Sequence, residues 1–98
     1  MGMFNEVLVD FPINKPENIK FIDGRFQTKD IYPLERILYK IHSDGSMFNM
    51  VLGESFKPED SFYMCIDNGG DPNKPQWELY DFKVTVKDSK VLRIDYVE

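Results

Sequence analysis

Turn-forming residues punctuate this chain about every ten positions, and that spacing limits what it can fold into more than any other feature. The signals are Pro12 to Pro16, Asp23-Gly24, Asp44-Gly45, Lys57-Pro58, Asn68 to Pro75 and Asp88-Ser89. Between them lie strand-length runs rich in Val, Ile, Phe and Tyr. Parallel units need a helical crossover between strands, so closely spaced turns predict antiparallel hairpins instead. The expected fold is mainly β: one domain over residues 1–98, an antiparallel meander closing into a half-barrel or sandwich of about six to eight strands.

Asp44-Gly45 is the sharpest local signal, because this dipeptide suits the positive backbone angles of a two-residue type I′ turn. A turn there sets Ile41 opposite Phe48, Tyr39 opposite Met50 and Ile37 opposite Leu52, with Lys40 and Asn49 on the other surface. Apolar then meets apolar at every second step. The alternative is a helix over residues 31–42 capped by Asp30, since Leu34, Ile37, Leu38 and Ile41 also share a helical stripe; the class would then be α+β. Near the end, Phe82, Val84 and Val86 alternate with Lys83, Thr85 and Lys87, and Leu92, Ile94 and Tyr96 alternate with Arg93 and Asp95. These form a second hairpin with one buried face. The apolar phase slips between Leu79 and Tyr80, as at a β-bulge or bend. Phe4 to Phe11, Ile19 to Ile22, Arg25 to Thr28 and Phe62 to Asp67 are the remaining strand candidates.

Composition sorts the possible functions. Of 98 residues, 42% are hydrophobic and 14% aromatic, enough apolar surface to argue against disorder. Seventeen acids against twelve bases leave a net charge of -5. Such a chain repels phosphate backbones and anionic membranes, so neither nucleic acid nor a membrane is an expected direct partner. The longest uncharged stretch, residues 45–53, is too short to span a bilayer. Cys65 stands alone and has no intrachain disulfide partner. With Glu6 and Asp10 interrupting the start, a cytosolic location is expected.

Few residues suggest chemistry, and no catalytic, cofactor or metal site is assigned. His42 is the sole histidine, and in His42-Ser43-Asp44 neighbouring side chains on a strand point to alternate faces. Cys65 lies between Met64 and Ile66, where burial favours an inert thiol. The run Asp67-Asn68-Gly69-Gly70-Asp71 superficially resembles a calcium loop but lacks its spacing and terminal glutamate. Glu59-Asp60, following Pro58, read as a solvated turn.

The distribution of charge says more. Residues 54–81 hold seven acids and two bases, a balance of -5, whereas the remaining ten acids and ten bases cancel. The same stretch carries Phe56, Phe62, Tyr63, Trp77 and Tyr80. Acid interleaved with aromatic surface suits recognition of a basic protein. The expectation is a non-catalytic binding domain, an acidic inhibitor such as a bacterial immunity protein neutralising a basic nuclease toxin. Its contact residues would be Glu54, Glu59, Asp60, Asp67, Asp71, Trp77, Glu78, Tyr80 and Asp81. The alternatives are a small-molecule or enzymatic β-barrel with aromatics such as Trp77, Tyr80 and Tyr39 lining a pocket, and a phage-type or structural assembly subunit joined through strand edges.

Overall fold

Where apolar and polar residues alternate longest, the chain extends longest. The computed structural model describes residues 3–21 and 25–98 and contains eight strands: β1 (Asn5–Val9), β2 (Arg25–Thr28), β3 (Leu38–Ile41), β4 (Met47–Asn49), β5 (Glu54–Phe56), β6 (Phe62–Asp67), β7 (Leu79–Lys87) and β8 (Lys90–Val97). They share one sheet in the order β5-β4-β3-β1-β2-β6-β7-β8. The fold is all-β, a mixed half-barrel, with no helix among the described residues. None there is long and apolar enough to cross a membrane.

One pairing departs from the expected antiparallel meander: β1 and β3 run parallel, with Glu6 opposite Leu38 and Val9 opposite Ile41. A short connection suffices because β2 and β3 flank β1 and are antiparallel to each other. The chain leaving β2 has only to step over the start of β1, two strand spacings or roughly 10 Å. The alternative helix over residues 31–42 is not formed: residues 38–41 are strand β3, and residues 31–37 belong to the stepping segment, 29–37. That segment contains a cis Tyr32-Pro33 bond and Arg36 at φ 57°, and it wraps around the fully buried side chain of Asn5. The Asn5 amide donates to the carbonyls of Ile31 (2.7 Å) and Pro33 (3.0 Å), and its Oδ1 accepts from the N–H groups of Glu35 (3.2 Å) and Ile37 (2.9 Å). One side chain thereby supplies the hydrogen bonds a helix would have made internally.

The Asp44-Gly45 turn exists, but its register is one residue away from that expected. Tyr39 faces Asn49, Lys40 faces Phe48 and Ile41 faces Met47. Three residues form the loop, closed by His42 N–H to the Ser46 carbonyl (2.8 Å), and only Gly45 takes a positive φ (89°). The cause is Asp44, whose Oδ1 accepts from both the N–H (2.9 Å) and hydroxyl (2.6 Å) of Ser46. Those bonds hold its carboxyl below the usual carboxylate range, and the loop matches a turn followed by a glycine bulge. A slip of one residue exchanges faces, so Met47 and Asn49 point inward and Met50 outward.

The two-residue turn with both angles positive is at Asp88 (φ 54°) and Ser89 (φ 62°), between paired Lys87 and Lys90. The expected bulge is likewise displaced. Trp77 precedes β7, so the slip at Leu79 marks the strand's beginning, and the register shifts instead between Thr85 and Val86. Leu92 becomes the extra residue and is exposed, while Val91 turns inward. Of the other candidates, Arg25–Thr28 and Phe62–Asp67 are strands over their full length. Residues 19–21 are not extended in the sheet, Ile22 lies outside the described residues, and β5 was not expected.

Curvature brings distant parts of the sheet together. Beyond β1, Asn14 pairs with β8, donating to Ile94 O (2.9 Å) and accepting from Tyr96 N–H (2.9 Å), while Val91 N–H donates to Gly45 O (2.8 Å). The concave side holds Val7, Phe26, Tyr39, Ile41, Phe62, Met64, Phe82, Val84 and Ile94. At its centre Phe26 meets Phe21 and Phe82 edge-on at 5.4 and 5.5 Å, and Phe82 meets Tyr96 at 5.7 Å. Such edge-to-face pairs add to the apolar burial that drives collapse. The opposite face of β2, β6 and β7 is mostly exposed, with Cys65 half-buried on it.

Candidate functional site on the outer face

Period-two alternation places Phe62, Met64 and Ile66 of β6 in the core and thereby turns Tyr63, Cys65 and Asp67 outward. The cross-strand register extends this outward set into a row: Glu6 opposite Gln27, Gln27 opposite Cys65, Cys65 opposite Asp81, and Asp81 opposite Val97. On either side, Asp67 faces Leu79 and Tyr63 faces Lys83. Tyr63 (50%), Leu79 (51%) and Val97 (37%) remain substantially exposed, so apolar side chains here alternate with carboxylates.

The seam between β2 and β6 is open. Gln27–Cys65 is the register pair joining them, and beyond it Thr28 donates its hydroxyl to Tyr63 O (2.7 Å) while Asp30 accepts from Tyr63 N–H (2.8 Å). Side chains thus take the place of a further backbone pair. The segment 68–78 is closed on itself by Asn68, whose N–H donates to Glu78 O (3.0 Å) and whose amide donates to Gln76 O (2.7 Å), and it brings Gly69 and Trp77 beside this seam. A half-open pocket of about 360 Å³ results, with Glu6, Arg25, Gln27, Cys65, Asp67 and Trp77 among its walls. A smaller, more apolar depression of about 200 Å³ shares Gln27 and Cys65 with it and continues toward Tyr63 and Phe4.

Negative charge dominates the pocket's chemistry. Burial pushes the Cys65 thiol above its usual pKa, and the carboxylates of Asp81 and Asp67 raise it further against a weaker opposing effect of Lys29. The Glu6–Arg25 pair at 3.4 Å is partly solvated and contributes little to stability. His42 packs against Phe48 on the far side of β1, three strand spacings or roughly 14 Å along the sheet from β6. Cys65 therefore has a protonated thiol and no imidazole beside it. Iodoacetamide should alkylate it several-fold more slowly at pH 8 than it alkylates the urea-unfolded chain, and Asp81→Asn should recover part of the difference. Equal rates in all three samples would contradict this electrostatic account.

The acidic residues singled out by charge counting fall into separate groups. Asp67 and Trp77 line the pocket, Asp81 lines the adjoining depression, Glu78 turns its carboxylate to the Tyr80 hydroxyl instead, and Asp71 is exposed in the adjoining segment. Glu59 and Asp60 precede β6, whose length of roughly 17 Å separates them from Asp67. There they line a second hollow with Tyr32 and Phe56, and Glu54 lies on the edge strand β5. Tyr80 is turned into the core with 7% exposure, its ring against Tyr96, and only its hydroxyl reaches out to Glu78 (3.0 Å). The oxygens that resembled a calcium loop have other work: Asp67, Asn68 and Asp71 each accept a backbone N–H two residues ahead. Among the described residues no group of three or more His, Cys, Asp or Glu is placed to hold a metal.

Trp77 has a further peculiarity, because its Nε1 is buried with no hydrogen-bond partner. Glu6, Arg25 and Gln27 join the site from outside the acidic stretch, and Tyr63 joins from within it although it was not among the expected contact residues. Strand parity in β1, β2 and β6 is the signal that places them outward, but only the sheet order brings them together. The chain matches no protein-family model, no curated protein and no solved structure.

Proposed function

We propose that this chain is a non-catalytic protein-binding domain that presents the outer face of β6 and β7, with the segment 68–78, to a basic partner. The observation that carries the proposal is the interleaving of exposed Tyr63, Leu79 and Val97 with Asp67 and Asp81 on one continuous surface. Apolar side chains supply the desolvated centre of an interface, while surrounding carboxylates speed encounter with a cation. A standard interface covers about 800 Å² of each partner, an eighth of this domain's 6544 Å² surface. Asp71 belongs to this face through the segment 68–78, whereas Glu54, Glu59 and Asp60 lie outside it and contribute to the longer-range field. The protonated state of Cys65 favours binding over nucleophilic chemistry. In its most specific form the proposal is an inhibitor covering the cationic cleft of a nuclease, as an immunity protein does for its toxin.

Capture from a lysate of the native host tests this by comparison. The unaltered domain should retain one or more basic proteins that wash off at high salt, since solvated charge pairs are screened beyond about 8 to 10 Å. Asp67→Asn/Glu78→Gln/Asp81→Asn should lose them, whereas Glu54→Gln/Glu59→Gln/Asp60→Asn should keep them. Identical retention by both triple variants would remove the basis for this face.

A further inference from the structure

The pocket beside Trp77 is more than a dent in a binding surface, because its walls combine an aromatic side chain with the carboxylates of Glu6 and Asp67. We propose that it receives an arginine residue of the partner, the guanidinium lying between Asp67 and Glu6 and against the Trp77 ring; this rests on the binding face described above.

Charge selects a cation. Of the charged side chains lining the pocket, Glu6 and Asp67 outnumber Arg25, and Asp81 lies in the next strand opposite Cys65. The Cys65 thiol is raised first by burial, and Asp81 and Asp67 add to that shift from the same side of the sheet. Shape selects arginine over lysine. A planar guanidinium stacks on an indole and donates in parallel to carboxylate oxygens, whereas an ammonium is a compact, strongly hydrated charge. At about 360 Å³ the pocket falls within the range of small-ligand sites. The Glu6–Arg25 contact is long and half-exposed, so Glu6 can be shared with an incoming cation without dismantling the sheet.

The indole nitrogen suits a ligand that is a residue within a chain. A buried donor without an acceptor is a cost carried by the free domain, and such groups call for a specific explanation. A guanidinium cannot accept that hydrogen. The main-chain carbonyl of an arginine residue can, once the ring shifts to meet it.

Trp77 is the sole tryptophan and reports on its own pocket. The probes are N-acetyl-arginine amide and N-acetyl-citrulline amide, the second retaining shape and carbonyls but not charge. The arginine probe should shift Trp77 emission saturably and slow alkylation of Cys65. The citrulline probe should bind about tenfold more weakly, as should the arginine probe to Asp67→Asn, which keeps the side-chain oxygen that accepts from Gly69. A thermal melt confirms that the variant is folded. Equal binding of both probes, an unaffected Asp67→Asn, or no saturable shift up to roughly 50 mM overturns the assignment. If the arginine probe fails while Asp67→Asn/Glu78→Gln/Asp81→Asn still loses its basic proteins, the pocket is refuted and the binding face stands. If the probe binds while capture is indifferent to those carboxylates, the face is refuted and the pocket serves a free guanidinium compound.

Discussion

Replacing Asn5 by aspartate should lower the folding free energy by roughly 4 kcal/mol at neutral pH. The two side chains have nearly the same shape, so packing is unchanged and hydrogen bonding decides the outcome. In the native protein all four bonding positions of the amide are used: two donors to Ile31 and Pro33, two acceptances from Glu35 and Ile37. A carboxylate keeps the acceptances but sets a negative oxygen against two carbonyl oxygens in a site with no water contact. Each buried group left unmet costs about 1 to 3 kcal/mol, and the uncompensated charge adds to that. The introduced carboxyl can relieve the conflict by taking up a proton. Its folded-state pKa is then raised above the unfolded value of about 4, the folded state binds protons more tightly, and stability falls as pH rises through that interval. The deficit of Asn5→Asp should therefore shrink toward pH 4, whereas that of Asn5→Leu, which has nothing to titrate, should not. Urea unfolding of both variants at pH 7 and pH 4.5 measures this. A loss below about 1 kcal/mol would mean that the segment 29–37 does not depend on Asn5.

Asn5 also marks the boundary of what the sequence makes legible. Alternation in Phe62 to Asp67 and in Phe82 to Val86 expresses a local rule, that one face meets the core, and both strands lie where that rule places them. The parallel β1–β3 pair expresses no local rule. It depends on a polar residue in β1 solving the hydrogen bonding of a segment some thirty positions later, and a buried asparagine carries no periodicity to announce this. The slipped turn has a different cause. Asp44-Gly45 satisfies two turn geometries, and the choice falls to Ser46, whose N–H and hydroxyl hold Asp44 outside the left-handed region. The candidate site combines both difficulties. Charge counting finds Asp67 and Asp81, and the aromatic Trp77 falls in the same stretch, because they are close in sequence. Glu6, Arg25 and Gln27 reach the same pocket from β1 and β2 only through the order of strands, which no single strand encodes.

Sheet closure leads to the second large effect, at Gly45. Gly45→Ala should cost roughly 3 to 4 kcal/mol, against about 1 kcal/mol for Gly53→Ala, although both glycines hold a positive φ (89° and 70°). The conformational cost is similar at the two sites and amounts to about 1 kcal/mol for an L residue. Surroundings make the difference. A Cβ on Gly53 would meet nothing within 4 Å, whereas one on Gly45 would lie 2.3 Å from the backbone carbonyl oxygen of Val91. No rotamer relieves a clash between a Cβ and a main-chain atom, so the β3–β4 turn must move away from β8. That movement breaks the 2.8 Å bond from Val91 N–H to Gly45 O and opens the curled sheet where the turn meets its far edge. Denaturant midpoints of the two variants give the energy difference, and hydrogen exchange locates it. Val91 N–H should lose protection in Gly45→Ala and keep it in Gly53→Ala, while the amides of β6, bonded within the sheet, should follow global stability in both. Equal destabilisation with Val91 still protected would show that the turn merely rests against β8 and that β8 is held by β7 and Asn14 alone.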